Sequence, residues 1–379
     1  MKVRALLLAV LLGTSGLFVP GPSELVVPGA AATPSGDLTP VGGQVLMAGV
    51  RYTKYRWRRS SAPIYIAQVM RGGNASVKVI SARDRIGGGR ETVYSMCLRT
   101  KGCIAAVNGD FWDTQHSSAA VLGGVISRGE LWKSPNPFSQ QTSVAPPKLG
   151  LTWSGTLTND AGMTVRLAGV NVDPVPNRVV LYTPRYGQPL GGVRKTSFKV
   201  TAPAQLLGRL GAKTPLTHLG SGAVGTRVHP GQAGFVASGS AGAALWELFS
   251  TGGVTLTLST NAPTTESIGF HPAVLRDGHW VKTDPHDSML TEANPRTMLA
   301  WNSSRTWLIA ADGRERGGAG LRISDVVALV QHLRATNAVM LDGGGSTTFD
   351  VRGHILNHPS DDKLRPVSNA LAVIVSGAH

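Results

Sequence analysis

Apolar residues are distributed along the chain in many short runs, separated by residues that favour turns. The 47 glycines and 23 prolines are spread between these runs, which is typical of a fold rich in short strands and tight turns. The runs predict strands at Ile64–Val69, Ser76–Ile80, Ile104–Val107, Val179–Tyr182, Val254–Leu258, Thr306–Ala311, Ala338–Leu341 and Ala370–Val375. Residues 134–188 are rich in proline, glycine and threonine, and we interpret them as strands with long loops.

Helical periodicity is found in fewer places. The clearest helix begins at Ser324 as N-cap, and its apolar side chains recur at helical spacing through Val326, Leu329 and Leu333. A second helix is predicted at Ala243–Phe249. The pattern therefore predicts a β-rich single domain with mixed sheets and a few covering helices.

The N-terminus has the pattern of a secretory signal peptide. A basic start at Met1–Arg4 precedes an apolar stretch at Ala5–Val19, and Ala30–Ala32 offers small residues for cleavage. We predict a signal peptide at 1–32, a flexible lead-in segment at 33–44 and the catalytic domain at 45–379. The apolar stretch is shorter than the roughly 20 residues that span a bilayer, so a retained membrane anchor is the weaker alternative.

Two cysteines, Cys97 and Cys103, are the only ones in the sequence. In an exported chain such a pair indicates a local disulfide, and two buried free thiols are the alternative. A disulfide here would fix the segment just before Asn108.

The formal net charge of +15 favours anionic partners outside the cell, such as wall polymers or phosphorylated glycans. The densest basic run, 51–59, alternates arginine and lysine with aromatic residues. A nucleic-acid surface can have this pattern, but we interpret it as a solvated edge strand and expect no specific nucleic-acid binding.

Three segments share one pattern, in which an apolar strand is followed by a polar side chain and then a glycine. They are Ile104–Phe111, Leu308–Arg314 and Val339–Gly343, which place Asn108, Asp312 and Asp342 before the glycines. One such segment alone is often only a turn. Three together predict a common site, because strand ends hold side chains rigidly while glycine lets backbone approach a ligand.

The third segment continues into Gly343, Gly344 and Gly345, followed by the hydroxyls of Ser346 and Thr347. Consecutive glycines suit backbone that must take positive φ or lie close to a ligand, and their N–H groups can form an anion-binding nest. The sequence therefore predicts contact with phosphate or with sugar hydroxyls at this loop.

The ordered set of these motifs resembles the phosphodiester glycosidase family. The resemblance spans about 105–375 and rests on Asn108–Phe111, Leu181–Gly187, Asn294–Thr297, Asp312–Arg314, Leu341–Ser346 and Arg365–Ala370. Asp110 and Trp112 stand where relatives commonly have N-G-G-F-F, and Gly269–Pro272 replaces a glycine-rich stretch. Both departures bear on the identity of the sugar.

The resemblance implies an α+β fold and hydrolysis of a sugar 1-phosphodiester at the anomeric C–O bond. Asp342 and Asp312 are then the candidate catalytic carboxylates, with Asp110 as a third. Arg296 and Arg314 match phosphate oxygens, although structural salt bridges to the aspartates are an alternative. Further candidates for substrate binding are Asn108, which could contact the sugar or orient water, and His271, which could transfer protons or be structural.

Other functional classes find less support in the sequence. The glycine loop lacks the ending of a nucleotide P-loop, the histidines form no zinc motif, and no G-x-S-x-G elbow is present. No cofactor is expected beyond a possible structural Ca²⁺ at Asp284, Asp287, Asp361 and Asp362. A phosphodiesterase, an ordinary glycosidase and a non-catalytic wall-polymer binder are the alternatives, while the sugar and the oligomeric state are not predicted.

Overall fold

The computed structural model describes residues 26–27, 38–115, 120–136, 139–188, 196–222, 227–314 and 319–376. Its strands are β1 (Val26–Val27), β2 (Leu38–Met47), β3 (Val50–Trp57), β4 (Ser60–Met70), β5 (Ala75–Ser81), β6 (Cys103–Asn108), β7 (Val125–Ser127), β8 (Glu130–Lys133), β9 (Gln140–Ala145), β10 (Pro147–Lys148), β11 (Trp153–Asn159), β12 (Thr164–Val170), β13 (Val179–Tyr182), β14 (Thr196–Thr201), β15 (Lys213–Gly222), β16 (Gln232–Ala237), β17 (Val254–Thr260), β18 (Glu266–Phe270), β19 (Ala273–Arg276), β20 (His279–Val281), β21 (Arg296–Trp301), β22 (Arg305–Ala311), β23 (Asn337–Met340), β24 (Phe349–Val351), β25 (His354–Ile355) and β26 (Asn369–Val375). The helices are α1 (Val93–Arg99), α2 (Ser240–Ser250), α3 (Ser288–Thr291) and α4 (Ile323–His332), with 3₁₀ turns at Ala82–Asp84, Pro184–Tyr186 and Gly344–Ser346.

Each of the eight predicted strands is present, and the α+β fold class is confirmed. The two predicted helices correspond to α4 and α2, with different boundaries. Helix α4 begins after Arg322 instead of Ser324, because the Asp325 carboxylate accepts the Arg322 N–H at 3.0 Å and so caps the helix two residues earlier.

The largest sheet is antiparallel and has the strand order β1-β20-β19-β23-β21-β22-β4-β3-β2. Its central strands are buried on both faces, as the alternation in β22 illustrates. Leu308 and Ala310 belong to a core shared with a second sheet, whereas Trp307 and Ile309 pack into the core beneath α4. This sheet is therefore a rigid middle layer.

The second sheet, β25-β24-β6-β26-β5, packs against the first through the shared core. Its other face is covered by α1, where Met96 and Cys97 contact Ala106 and Ala370 in a smaller core. The predicted disulfide is present and joins Cys97 of α1 to Cys103 at the start of β6.

The middle of the chain forms a closed barrel in the order β11-β12-β13-β16-β14-β15-β17. The pairing of β12 with β13 is parallel, which makes the barrel mixed. Leu245 and Leu248 of α2 pack into the barrel core. A smaller antiparallel sheet has the strand order β10-β9-β18-β7-β8. Its strands β7 to β10 come before the barrel in the sequence, and β18 comes directly after it.

Two sequence interpretations are corrected here. Residues 38–44, assigned to the flexible lead-in segment, form the first part of β2, which pairs with β3. The basic run lies largely in β3, which is not an edge strand, because β2 and β4 pair with its two sides. The signal peptide predicted at 1–32 lies outside the described residues, except for Val26–Val27. These two residues form β1 and pair with β20.

Within the described ranges, no helix is long and apolar enough to cross a membrane.

Candidate active site

The ends of strands from both large sheets meet at one place. The N–H of Asp342, two residues after β23, donates to the Gly109 carbonyl after β6 at 2.9 Å. The N–H of Gly344 donates to the Pro295 carbonyl, just before β21, at 3.0 Å. These bonds fix the glycine loop to both sheets.

A cavity of about 190 Å³ opens beside this loop. Its lining residues are Phe111, His271, Met289, Leu290, Asn294, Arg296, Arg314, Met340, Leu341, Asp342, Gly343, Gly344, Gly345 and Arg365. Seven of the residues predicted from sequence are among them: His271, Arg296, Arg314, Asp342 and the three glycines. Of the described residues that line the cavity, Asp342 alone carries a carboxylate.

The Asp342 carboxyl is half-buried and is held by several donors. Burial raises its pKa, while hydrogen bonds from the Ser346 hydroxyl, the Gly343 N–H and the Trp112 indole, together with the Arg365 charge, act in the opposite direction. The donors fix the orientation of the carboxylate. The result is a positioned negative charge at the cavity wall.

Arg296 is buried, at 3% exposure, and its guanidinium plane is fixed by backbone carbonyls. Its Nε donates to Leu321 O at 2.9 Å and its Nη2 to Glu292 O at 2.8 Å. Burial, reinforced by the nearby charge of Arg314, lowers the pKa of Arg296 to about 10. The charge of Asp287 opposes this shift, and an anion bound between the two guanidinium groups would relieve their mutual repulsion.

Arg314 lies at the exposed rim with a left-handed φ of 69°, and its Nε donates to Asn294 Oδ1 at 3.0 Å. Among the described residues, neither Arg296 nor Arg314 forms an ion pair. The structure therefore lacks the structural salt bridges to Asp312 or Asp342 that were the alternative. Two guanidinium groups are thus directed to one cavity without a carboxylate partner in the described chain.

Arg365 is a cavity residue that the sequence interpretation did not assign. Its Nε donates to Asp361 Oδ2 at 2.8 Å and its Nη1 to Ser346 Oγ at 3.4 Å. The residue was visible in the Arg365–Ala370 motif, but nothing local in the sequence connected that motif to Asp342. Asn294 was missed for the same reason. Phe111 and Trp112 follow Asn108 in a segment that the pattern did relate to Asp342, but their aromatic side chains gave no signal of a contact with the site.

The glycine loop provides space more than donors. A Cβ on Gly345 would overlap the Arg365 guanidinium and the Asp361 carboxylate, and Gly344 has a φ of 58°. The N–H of Gly343 is directed to the Asp342 carboxylate and that of Gly344 to Pro295 O. The N–H groups of Gly343 and Gly344 are therefore not available for the predicted anion nest. The absence of side chains at Gly344 and Gly345 instead leaves room for the guanidinium groups of Arg314 and Arg365.

Several predicted residues support the loop from behind. Asn108 is fully buried; its Nδ2 donates to Asp342 O at 2.6 Å, and its Oδ1 accepts from the Thr297 hydroxyl and the Thr348 N–H. Thr347 is buried beside Thr297. The Asn108 amide therefore holds the Asp342 backbone in place and does not line the cavity, in contrast to its predicted contact with sugar or water.

Asp312 also lies away from the cavity lining. Its Oδ2 accepts the Tyr65 hydroxyl at 3.1 Å and its Oδ1 accepts the His358 N–H at 3.0 Å. Burial raises its pKa against these hydrogen bonds. Asp312 is thus not among the residues that line the cavity, although the sequence interpretation made it a candidate catalytic carboxylate together with Asp342.

Asp110 is buried behind the site, where its Oδ2 accepts the Gly123 N–H at 2.7 Å. Burial raises its pKa to about 7, against the pull of nearby Lys133, and the Asp342 charge adds to the rise. Lys133 is itself buried, which lowers its pKa to about 8. Asp110 can influence Asp342 through its charge, but it does not reach the cavity.

The aspartates considered for Ca²⁺ do not form a group. In the described part of the chain, no three His, Cys, Asp or Glu side chains converge on one point. Asp284 and Asp287 accept N–H groups of their own turn, whereas Asp361 pairs with Arg365 and Asp362 lies 3.5 Å from His358.

Residues 222–374 match the sequence family described as phosphodiester glycosidase, whereas a comparison with curated proteins gives no match. A hypothetical protein from Synechocystis superposes with a TM-score of 0.66 at 19% identity, over 89% of this chain and 64% of its own. A Burkholderia pseudomallei protein that is thought to be exported gives 0.61 at 18% identity, over 83% and 74%. The catalytic domain of zebrafish N-acetylglucosamine-1-phosphodiester α-N-acetylglucosaminidase, auto-inhibited by its pro-peptide, gives 0.43 at 17% identity, over 93% and 88%.

The family resemblance is confirmed for the C-terminal part of the chain, which contains Arg296, Arg314, Asp342 and Arg365. The first two superpositions show a shared fold. This chain spans less than two thirds of the Synechocystis protein, 64% of its length.

Proposed function

We propose that this protein is an exported phosphodiester glycosidase, a hydrolase that cleaves the anomeric C–O bond of a sugar 1-phosphodiester. The substrate is of the N-acetylglucosamine 1-phosphate type, within a cell-wall, capsular or exopolysaccharide polymer. One observation carries the proposal: the Asp342 carboxylate shares a cavity with two guanidinium groups, of Arg296 and Arg314, that have no ion-pair partner among the described residues.

The single carboxylate is informative about the leaving group. Ordinary glycosidases use two carboxyl groups, of which one protonates the departing oxygen. A phosphate ester leaves as a stable anion and needs positive charge more than a proton. The described lining of the cavity contains arginines and no carboxylate besides Asp342. This composition supports a glycosyl phosphate as the substrate over a neutral glycoside.

The polar side chains of the cavity, and two side chains that contact Asp342, then have roles. Asp342 faces the anomeric carbon and stabilises the positive charge that develops in an oxocarbenium-like transition state. Arg296 and Arg314 bind the phosphate oxygens, since guanidinium groups match them in bidentate geometry. Arg365, Ser346 and Trp112 keep Asp342 ionised and oriented, and His271 with Asn294 lies where sugar hydroxyls can be bound.

The net charge of +15 supports the polymer context of the substrate. A strongly basic protein outside the cell is attracted to anionic polymers, and that attraction raises the local concentration of the phosphodiester linkages. Export itself rests on the predicted signal peptide at 1–32.

The test uses the methyl phosphodiester of N-acetylglucosamine α-1-phosphate. The protein is expected to release free N-acetylglucosamine and methyl phosphate. Asp342→Asn keeps the shape of the side chain but removes its charge, so turnover should fall by about a thousand-fold.

Asp277→Asn is the matched control, because Asp277 lies in the exposed turn between β19 and β20 and asparagine tolerates its left-handed φ of 50°. Its turnover should equal that of the unmodified protein. Full activity in the Asp342 variant would refute the assignment of the carboxylate, and tight binding of the diester without any product would identify a binding protein instead.

A further inference from the structure

A second cavity, of about 500 Å³, lies apart from Asp342 and shares none of its lining residues. It is bordered by the edge strand β5, the end of α1, the β7–β8 turn and the 3₁₀ turn Pro184–Tyr186. Its lining residues are Lys78, Val79, Ile80, Ser81, Asp84, Arg99, Thr100, Lys101, Ser127, Arg128, Trp132, Arg185 and Ile374. Arg185 belongs to the Leu181–Gly187 motif, to which the catalytic proposal gives no role.

The lining is strongly cationic, with five basic side chains and the single carboxylate of Asp84. Arg99 pairs with Asp84 and Glu91, and Arg185 pairs with Glu130 at 2.8 Å. Within the described chain, Lys78, Lys101 and Arg128 form no ion pair.

A further carboxylate that interacts with lining residues is that of Glu266, which is 2% exposed. Its oxygens already accept the N–H groups of Val79 and Arg128, at 3.1 and 3.0 Å. The positive charges of Lys78 and Arg128 attract this carboxylate and oppose the rise that burial gives its pKa.

Two residues of the lining each carry a buried polar atom that lacks a hydrogen-bond partner among the described residues: Ser81 Oγ and Trp132 Nε1. The side chains that carry them are 3% and 5% exposed. Buried polar groups are normally satisfied, so two unsatisfied groups in the lining residues mark a wall whose hydrogen bonding the described residues leave incomplete.

The backbone at the rim is also unusual. Arg128 and Gly129 form the two-residue turn between β7 and β8, with φ of 54° and 75°. The first position of such a turn favours glycine, asparagine or aspartate, so arginine there is strained. The turn places Arg128 in the lining of the cavity.

We infer that this cavity is a second ligand site, which binds an anionic saccharide. Its volume is in the range of small-ligand pockets, and a bare phosphate ion would leave most of it empty. The lining combines cations with the hydroxyls of Ser81, Ser127 and Thr100 and the Trp132 indole N–H, which suits a ligand with both acidic and hydroxyl groups. The ligand is either a separate saccharide or a remote part of a polymer substrate.

Titration calorimetry with digalacturonate tests the inference, because this disaccharide carries two carboxylates and no phosphodiester. We expect saturable binding, with maltose and inorganic phosphate binding at least tenfold more weakly. Arg128→Gly relaxes the turn while removing the guanidinium, and Trp132→Phe removes the unsatisfied N–H. Both variants should fold and should raise the Kd at least tenfold.

Arg352→Gly is the matched control, since Arg352 occupies the same position of the β24–β25 turn, with a φ of 51°, and does not line the cavity. It and Asp342→Asn should bind digalacturonate like the unmodified protein, which separates this site from the catalytic proposal.

Three results would overturn the inference. They are the absence of binding at millimolar digalacturonate, a Kd that Arg128→Gly and Trp132→Phe leave unchanged, and inorganic phosphate that binds as tightly as digalacturonate.

Discussion

The Asp342 carboxyl illustrates how single residues set the chemistry of the site. Burial favours its protonated form, and four neighbouring groups favour its charged form. A carboxylate that stabilises positive charge must be ionised, so these neighbours take part in activity without touching the substrate. Ser346 is the simplest of them to remove.

Ser346→Ala is expected to move the acidic limb of the kcat/KM profile to higher pH. The pKa of Asp342 already lies above its ordinary value of about 3.9, and activity falls as pH falls through it. Loss of the hydroxyl removes a hydrogen bond that favours the ionised form, so the pKa rises further. The measurement is kcat/KM for the methyl phosphodiester across pH 4 to 8.

Ser154→Ala serves as control, because Ser154 pairs with Ser259 in the barrel, outside the cavity. A limb that stays in place, or moves to lower pH, in the Ser346 variant would contradict the role given to this hydroxyl.

Asp350 offers a residue-level test that concerns stability instead of activity. It is fully buried, one of its oxygens has no partner among the described residues, and burial raises its pKa to about 6. Because the native state holds this proton more tightly than the unfolded state, the contribution of Asp350 to stability falls as pH rises from about 4 to 6.

Asp350→Asn should therefore raise the free energy of unfolding at pH 7.5, by on the order of 2 kcal/mol, and should change it much less at pH 4.5. Urea denaturation at the two pH values measures the difference. A variant that is destabilised equally at both would show that ionisation of Asp350 has no part in stability.

At the scale of elements, the loop between β23 and β24 is built so that arginines can approach it. Gly344 has a φ of 58°, and a Cβ there would lie 3.2 Å from Arg314 Nη1. Gly353 has a φ of 77°, but its nearest neighbour, Tyr94, is 3.7 Å away. Both glycines therefore have a positive φ, but only Gly344 lies against the Arg314 guanidinium.

Gly344→Ala and Gly353→Ala should each destabilise the fold by about 1 kcal/mol, because alanine is strained at positive φ. Only Gly344→Ala should also lower kcat/KM, on the order of tenfold, since it displaces the Arg314 guanidinium from the phosphate. Thermal unfolding and steady-state kinetics on both variants separate the effects. An equal kcat/KM in the two variants would show that catalysis does not depend on the present position of the Arg314 guanidinium.

The sequence predicted elements better than it predicted contacts. Strands such as Val179–Tyr182 were found because short apolar runs between turn residues are a local signal. Arg365 was missed, and Asp312 was placed beside Asp342, because those relations depend on which strands pair and on the length of each strand. The N-cap of α4 is Arg322 and not Ser324, because the Asp325 carboxylate accepts the Arg322 N–H and extends the helix by two residues.

At the scale of the whole molecule, the site is held where two sheets and their shared core meet. Asn108 of the second sheet bonds the backbone of Asp342, and Thr297 of the first sheet bonds Asn108. A carboxylate fixed from both sheets is preorganised for the transition state, and the arginines approach from the open side. The family match covers the arginines and Asp342, but not Asn108.

The central claim, cleavage of the anomeric C–O bond, is tested most directly by hydrolysis in water enriched in ¹⁸O. The methyl phosphodiester of N-acetylglucosamine α-1-phosphate is turned over for a short time, and both products are analysed by mass spectrometry before the sugar exchanges its anomeric oxygen. The account predicts ¹⁸O in the released sugar and none in methyl phosphate. Label in the phosphate would show that water attacks phosphorus and would contradict the account.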